Sequence, residues 1–383
     1  MHSGFMKGAN MVSKSEATVL TAAITAGFFF FSTTVTAVDI SQKLKIAVPA
    51  KVASEKIVTV DDVARLVALG PEKGDFELVD SRPLVRYNEG HIPGAISIPY
   101  REFNESVGKL PKEKDKLIIF YCGARACHLS LFSAGKAEKM GYTRVKVFAD
   151  GLHAWKKSGN LVVSSVQSLK EYLEKGIPFV LIDLRPTDEA KRGHIIGAVS
   201  IPEKDLPNAK ERFPSDKSAP IMLYDNNTKP GWDDYVSLRG WGYTNVAMLE
   251  GGFDEWKRSG GLVISGEVAT RIVYVPKLRA GEISIEEFKR IAETSPPDKL
   301  ILDVRDEDEA MQGMLKGALN VPSWDLKDRL KEVTRDKEII LYCDTGLRAE
   351  MAYHMLKEAG FKVRFLNANI KIDKDGKYSI IKE

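Results

Sequence analysis

Two segments of this sequence read as buried strands that end on a cysteine, and each is followed by residues suited to cradling an anion. One is Ile339-Ile340-Leu341-Tyr342-Cys343, followed by Asp344-Thr345-Gly346-Leu347-Arg348 and a helical stretch. The other is Leu117-Ile118-Ile119-Phe120-Tyr121-Cys122, followed by Gly123-Ala124-Arg125-Ala126-Cys127. At a helix N-terminus a thiol meets backbone N–H groups that lack partners, and a nearby arginine favours its charged form. Cys343 and Cys122 are therefore expected to be held largely as thiolates, ready to act as nucleophiles. The chain has three cysteines, all in these two loops.

The elements that must position these loops occur three times. Asp80-Ser81-Arg82, Asp183-Leu184-Arg185 and Asp303-Val304-Arg305 each follow an apolar run that reads as a strand. Ten residues after each aspartate stands a glycine (Gly90, Gly193, Gly313), and four further on a Gly-Ala pair (Gly94, Gly197, Gly317). Nineteen residues after each aspartate stands a proline: Pro99, Pro202, Pro322. Fixed internal spacing in three copies is the mark of a repeated unit.

Downstream, a strand in each copy ends at Tyr121, Tyr224 or Tyr342, and the helix that follows closes at Gly141, Gly242 or Gly360, as a glycine C-cap does. Short strands are expected at Val145–Phe148, Val246–Leu249 and Val363–Leu366. In the third helix Leu347, Met351, Ala352, Met355 and Leu356 recur at helical spacing, predicting one buried face. Copies one and two share Gly151-Leu-His-Ala-Trp155 and Gly252-Phe-Asp-Glu-Trp256; copy three lacks this element and ends in a polar tail.

Each unit of roughly a hundred residues is the size of a small domain. Alternating strands and helices imply an α/β class, three tandem small, mostly parallel sheets with helices on both faces. In such sheets ligands bind beyond the carboxyl ends of the strands, where the cysteine loops fall. The expected organisation is an export signal over 1–37 and domains over 38–160, 161–264 and 265–383, with Ser259-Gly260-Gly261 opening a linker.

Composition narrows the function classes. The 383 residues carry 56 basic and 53 acidic side chains, net +3, spread along the chain, so nucleic acid and anionic membrane are not expected partners. The N-terminus places Lys7 and Lys14 before an apolar, Thr-containing run from Ala17 to Phe31, then Val35-Thr36-Ala37. That order is the order of an export signal, implying a bacterial periplasmic protein, with an uncleaved N-terminal anchor as the alternative. No His/Cys/carboxylate cluster has metal-ligand spacing and no Gly-rich nucleotide loop occurs, so neither metal nor cofactor is expected.

Taken together, Asp-x-Arg, Gly-His-Ile-Pro-Gly-Ala at 90–95, Tyr-Cys before a loop and helix, and Gly-x-x-x-Trp resemble the rhodanese superfamily of sulfurtransferases, over about residues 50 to 370. The resemblance implies a cysteine persulfide that carries sulfane sulfur from thiosulfate or polysulfide to a thiol, cyanide or protein acceptor. The six residues Cys343–Arg348 resemble the family's sulfurtransferase loop, whereas related phosphatases and arsenate reductases have a longer one. On this reading Cys343 is the nucleophile. The backbone of Asp344, Thr345, Gly346, Leu347 and Arg348 cradles the sulfur, and Arg348 holds the donor's charge.

Loop one is two residues longer, since Cys122 precedes Gly141 by nineteen positions against seventeen for Cys343 and Gly360. Cys122 is its expected nucleophile, with Gly123, Ala124, Arg125, Ala126 and Cys127 around the substrate. Cys127 either resolves a Cys122 persulfide or sulfenate as a disulfide, or packs against the sheet. Three cysteines divided two and one do not otherwise suggest a disulfide framework. In copy two Asp225 replaces the nucleophile, followed by Asn226-Asn227-Thr228-Lys229-Pro230-Gly231; that copy is expected to be silent and structural, or to bind a different ligand through Asp225 and Lys229.

Asp80 with Arg82 and Asp303 with Arg305 are expected to support the loops as ion pairs, as Arg185 does in the silent copy. His91 and His194 read as hydrogen-bonding residues because Met314 replaces them in copy three, and Trp155 and Trp256 as core aromatics. Two alternatives remain: a non-catalytic sulfur-binding scaffold, and a thiol–disulfide oxidoreductase using Cys122 and Cys127.

Overall fold

In the computed structural model, residues 56–124, 127–226 and 232–381 are described. The expected export segment, Arg125, Ala126 and Lys229 lie outside them. Among the described residues no helix is long and apolar enough to cross a membrane.

The first module holds strands β1 (Phe76–Asp80), β2 (Ile96–Ser97), β3 (Leu117–Tyr121) and β4 (Val145–Phe148), in the order β2-β1-β3-β4. Ile57 adds a parallel bridge beside β4 at Val147. In the second module lie β5 (Val163–Ser164), β6 (Val180–Asp183), β7 (His194–Ile195), β8 (Val199–Ser200), β9 (Ile221–Tyr224), β10 (Val246–Leu249) and β11 (Val263–Ile264). Its main sheet runs β5-β10-β9-β6-β8, and β11 pairs antiparallel with β7. The third comprises β12 (Glu282–Ile283), β13 (Lys299–Asp303), β14 (Leu319–Asn320), β15 (Glu338–Tyr342) and β16 (Val363–Leu366), then a hairpin of β17 (Asn369–Ile372) and β18 (Tyr378–Ile381). Its sheet order, β12-β16-β15-β13-β14, repeats that of module two. Every pairing within the three main sheets is parallel.

Parallel sheets bury both faces, which is why these strands are near-continuous apolar runs. Ile221–Tyr224 and Glu338–Tyr342 are buried along their whole length. Trp155, Leu161, Val163, Tyr235 and Val246 belong to one apolar cluster spanning modules one and two. Tyr235 Oη donates to Asn160 O at 2.9 Å and Arg239 Nη2 to Lys156 O at 3.0 Å across that boundary. The second module therefore lends the first part of its core. Beyond Ser259-Gly260-Gly261 the chain stays on module two, through β11 and a bridge from Ala269 to Val199.

Two expectations change. The segment after β16 is a hairpin, and it replaces the missing Gly-x-x-x-Trp helix: Ile370 N donates to Asp344 O at 2.9 Å, where Leu152 N donates to Cys122 O at 2.9 Å and Phe253 N to Asp225 O at 2.8 Å. The helix Leu347–Glu358 buries Arg348, Ala349, Ala352, Tyr353 and Leu356, while Leu347, Met351 and Met355 are only half-buried. Sheet-facing small residues let this helix approach closely, which rotates the buried stripe away from the methionines.

Candidate active site

The register places each motif aspartate beside the tyrosine that precedes the loop: Asp80 pairs with Tyr121, Asp183 with Tyr224 and Asp303 with Tyr342. Each aspartate binds the arginine two residues on. Arg82 Nε lies 2.9 Å from Asp80 Oδ1, Arg185 Nε 2.9 Å from Asp183 Oδ1 and Arg305 Nε 3.0 Å from Asp303 Oδ1. Each guanidinium also donates to a glycine carbonyl: Gly90 at 2.7 Å, Gly193 at 2.7 Å and Gly313 at 2.8 Å. Tyr224 and Tyr342 donate to their aspartates at 2.7 Å. These knots lie beneath the loops and are all buried. His91 and His194 set Nδ1 at 2.9 and 2.8 Å from the Tyr87 and Ala190 carbonyls, and Trp155 and Trp256 are buried with Nε1 donating to Leu161 O and Leu262 O.

Cys343 closes β15 and is fully buried as a free thiol. The backbone then turns through Asp344 and Thr345 to Gly346, whose φ of +83° begins the helix Leu347–Glu358. A Cβ there would lie 3.0 Å from Asn367 Cα, so both the backbone angle and the close approach require glycine. The Ala349 and Thr345 amides hydrogen-bond to the sulfur. The expectation of a resident thiolate is corrected: burial pushes the Cys343 thiol up, and the Asp344 carboxylate adds to it. Arg348 and the two amides pull the other way without prevailing.

Arg348 differs from expectation for the same reason. Rather than standing open to a donor, it donates to Glu309 at 2.6 and 2.9 Å and to Asp344 at 2.8 Å, with Asp306 3.7 Å away. Its charge is shared among carboxylates, so it orders the loop more than it ionises the thiol. Asp306, Asp308 and Glu309 bring oxygen atoms within 4.8 Å of one another, but Glu309 is taken by Arg348 and Asp306 accepts Trp324 Nε1 at 3.1 Å.

In loop one Cys122 and Cys127 are joined as a disulfide, with Cα atoms 6.1 Å apart. This corrects the reading of Cys122 as a standing thiolate. Of the two readings of Cys127, the structure shows the one bonded to Cys122. Gly151 has φ +63°, and a Cβ there would lie 2.3 Å from Cys122 O, so the glycine of Gly-x-x-x-Trp lets the next helix begin directly on the loop carbonyls. His153 N donates to Gly123 O at 2.8 Å.

At Asp225 the loop contains no nucleophile able to carry sulfur. Asn226 Nδ2 donates to Glu189 at 2.8 Å, the position that Glu309 occupies in module three. Buried Asp234, from the following helix, has its carboxyl pushed up to about 7 by burial, then by Glu203, Asp233 and Asp225. Asp225 and Asp234 thus give this copy a chemistry unlike that of a sulfane cradle.

The two cysteine loops meet. A Cβ on Gly123 would lie 2.9 Å from Leu347 Cδ2, and Gly123, Ala124, Thr345 and Leu347 help line one cavity of about 240 Å³ at the junction of the modules. His128 Nδ1 lies 2.9 Å from Asp306 Oδ2, and Arg86 is ion-paired with Glu350. Glu89 accepts from Arg86 at 2.8 Å and Arg279 at 3.0 Å. Sequence reasoning missed Glu309, Asp306 and His128. Repeat alignment places Glu309 and Glu189 six positions after their aspartates, a signal available in advance; nothing local links His128 to Asp306.

The chain matches the family model described as Rhodanese-like domain over residues 60–158, 165–259 and 284–371. It is 36% identical over 88 residues to an HTH-type transcriptional regulator of Mycobacterium tuberculosis, covering 23% of this chain and 38% of that protein. It is 33% identical over 73 residues to a sulfurtransferase of Allochromatium vinosum, covering 19% of this chain and 66% of that one. To a tRNA sulfurtransferase of Aeromonas salmonicida it is 27% identical over 124 residues, covering 31% of this chain and 24% of the relative. The chain thus spans less than two thirds of each of these relatives.

Proposed function

Because the chain belongs to the rhodanese superfamily, with three rhodanese-like domains in tandem, we propose that it is a sulfurtransferase whose working nucleophile is Cys343. The observation that carries this reading is a free cysteine directly after β15, with the loop amide of Thr345 and the helix amide of Ala349 on its sulfur and Gly346 shaping the turn. Relatives named as sulfurtransferases support it.

In the reaction, the Cys343 thiolate attacks the outer sulfur of thiosulfate, the S–S bond of the donor breaks, and sulfite leaves with the bonding pair. The amides that hold the thiol would then stabilise negative charge on the persulfide. Polysulfide would serve in the same way, with a shorter polysulfide leaving. A thiophilic acceptor, either a small thiol or a protein cysteine, takes the outer sulfur and restores Cys343. Deprotonation of a thiol held up by burial is the cost that donor binding must offset.

Turnover with thiosulfate and cyanide tests the reading. Wild-type protein should release thiocyanate and sulfite together, and Cys343→Ser should abolish both. A chain that takes up no sulfur from thiosulfate or polysulfide would instead be a non-catalytic scaffold. Lys7, Lys14, the apolar run and Val35-Thr36-Ala37 support export to a bacterial periplasm, where the Cys122–Cys127 disulfide would persist. Cell fractionation with N-terminal sequencing tests this, and intact 1–37 in a cytoplasmic fraction would contradict it.

A further inference from the structure

Resting on that reading, we infer that the two cysteine loops work in series: Cys343 passes its sulfane sulfur to Cys122, and Cys127 releases it as hydrogen sulfide. Module three supplies no second cysteine to discharge its own persulfide, since Cys343 is the chain's single free cysteine. Module one holds the complementary pair, Cys122 with a resolving cysteine already at bonding distance. The loops are far apart in sequence yet touch at Gly123 and Leu347, and both border the same cavity. Two inter-module ion contacts, His128 with Asp306 and Arg86 with Glu350, join modules one and three beside the loops. Cys343 and Cys122 are 0% and 1% exposed, which hinders attack by a bulky external thiol and favours an acceptor inside the junction.

The chemistry balances in three displacements. First, thiosulfate loads Cys343 and sulfite leaves. Next, the Cys122 thiolate attacks the outer sulfur of the Cys343 persulfide; that S–S bond breaks and Cys343 returns as thiolate. Last, the Cys127 thiolate attacks Cys122 Sγ, the terminal sulfur leaves as hydrosulfide, and the disulfide forms. The sulfane sulfur is reduced by two electrons, and two thiols are oxidised to the disulfide. An external dithiol reductant must reopen the disulfide for another cycle. The structure corresponds to the state after release.

The test uses the full chain, reduced with a dithiol, freed of it anaerobically and given one equivalent of thiosulfate. The expected result is sulfide release in proportion to protein, loss of two hydrogens in the 122–127 peptide, and no lasting sulfur adduct. Cys343→Ser should lose both the sulfide and the disulfide. Cys127→Ser should release no sulfide and retain a gain of about 32 Da, one sulfur. If wild-type protein keeps the sulfur on Cys343 while Cys122 and Cys127 stay reduced, the relay is wrong and the sulfurtransferase reading stands. If Cys343→Ser still forms sulfide and disulfide at the wild-type rate, module one acts alone and the series is refuted. If no variant takes up sulfur, both readings fall. Unchanged circular dichroism of the serine variants would exclude misfolding as the cause of a loss.

Discussion

At the scale of single residues, the account turns on a thiol whose surroundings oppose one another. Burial and Asp344 push Cys343 up, and the amides with Arg348 hold it down less strongly. Because the thiolate is the reactive form, alkylation and sulfur loading should accelerate with rising pH through a value above that of an ordinary cysteine. Glu309→Gln should move this profile toward lower pH, since Arg348 now shares its charge with Glu309. The rate of iodoacetamide modification against pH, with disulfide 122–127 intact, measures it; a profile unmoved or shifted upward would contradict the assignment. The cysteine, glycine and arginine of this loop were legible in the sequence because their types and spacing are local. Their ionisation was not, because it depends first on how deeply the fold buries the sulfur, which no local spacing announces.

At the scale of elements, each loop rests on an aspartate–arginine–tyrosine knot between two adjacent parallel strands. That knot persists in the copy without a nucleophile, so its role there is architectural. Removing one member leaves an uncompensated buried charge, at a cost of about 3–5 kcal/mol. Arg185→Leu should therefore lower unfolding stability by about that amount, measured by denaturant titration; a loss below about 1 kcal/mol, the range of an exposed pair, would mean that Asp183 finds another partner. Strand ends at Tyr121, Tyr224 and Tyr342 and the closing glycines were legible because apolar runs and caps are written locally. The hairpin after Leu366 was not. Its alternation is weak, and its place is defined by Ile370 meeting the Asp344 carbonyl that no local pattern announces.

At the scale of the whole molecule, the second module, which has no cysteine, shares a core with the first, and the two cysteine loops are brought together by contacts across modules. The His128–Asp306 contact should be pH-dependent. Its hydrogen bond to Asp306 holds the His128 imidazole above its ordinary value, so its contribution is complete below about 6.5 and lost as pH rises through the raised value. Despite burial, His128 and Arg348 hold Asp306 below its ordinary value, so its contribution is lost as pH falls through that lowered value. The difference in melting temperature between wild type and His128→Ala should thus be larger at pH 5.5 than at pH 9. An equal difference at both would show that the imidazole charge contributes nothing. Three copies were legible from spacing alone; their mutual placement was not, because it rests on pairs such as Arg86 with Glu350 from distant parts of the chain.

The most direct measurement is peptide mapping of the oxidised chain, with its 122–127 disulfide intact, before and after thiosulfate. The account predicts a gain of about 32 Da confined to the peptide containing Cys343 and removed by cyanide. An unmodified Cys343 peptide, or sulfur found on another residue, would contradict it.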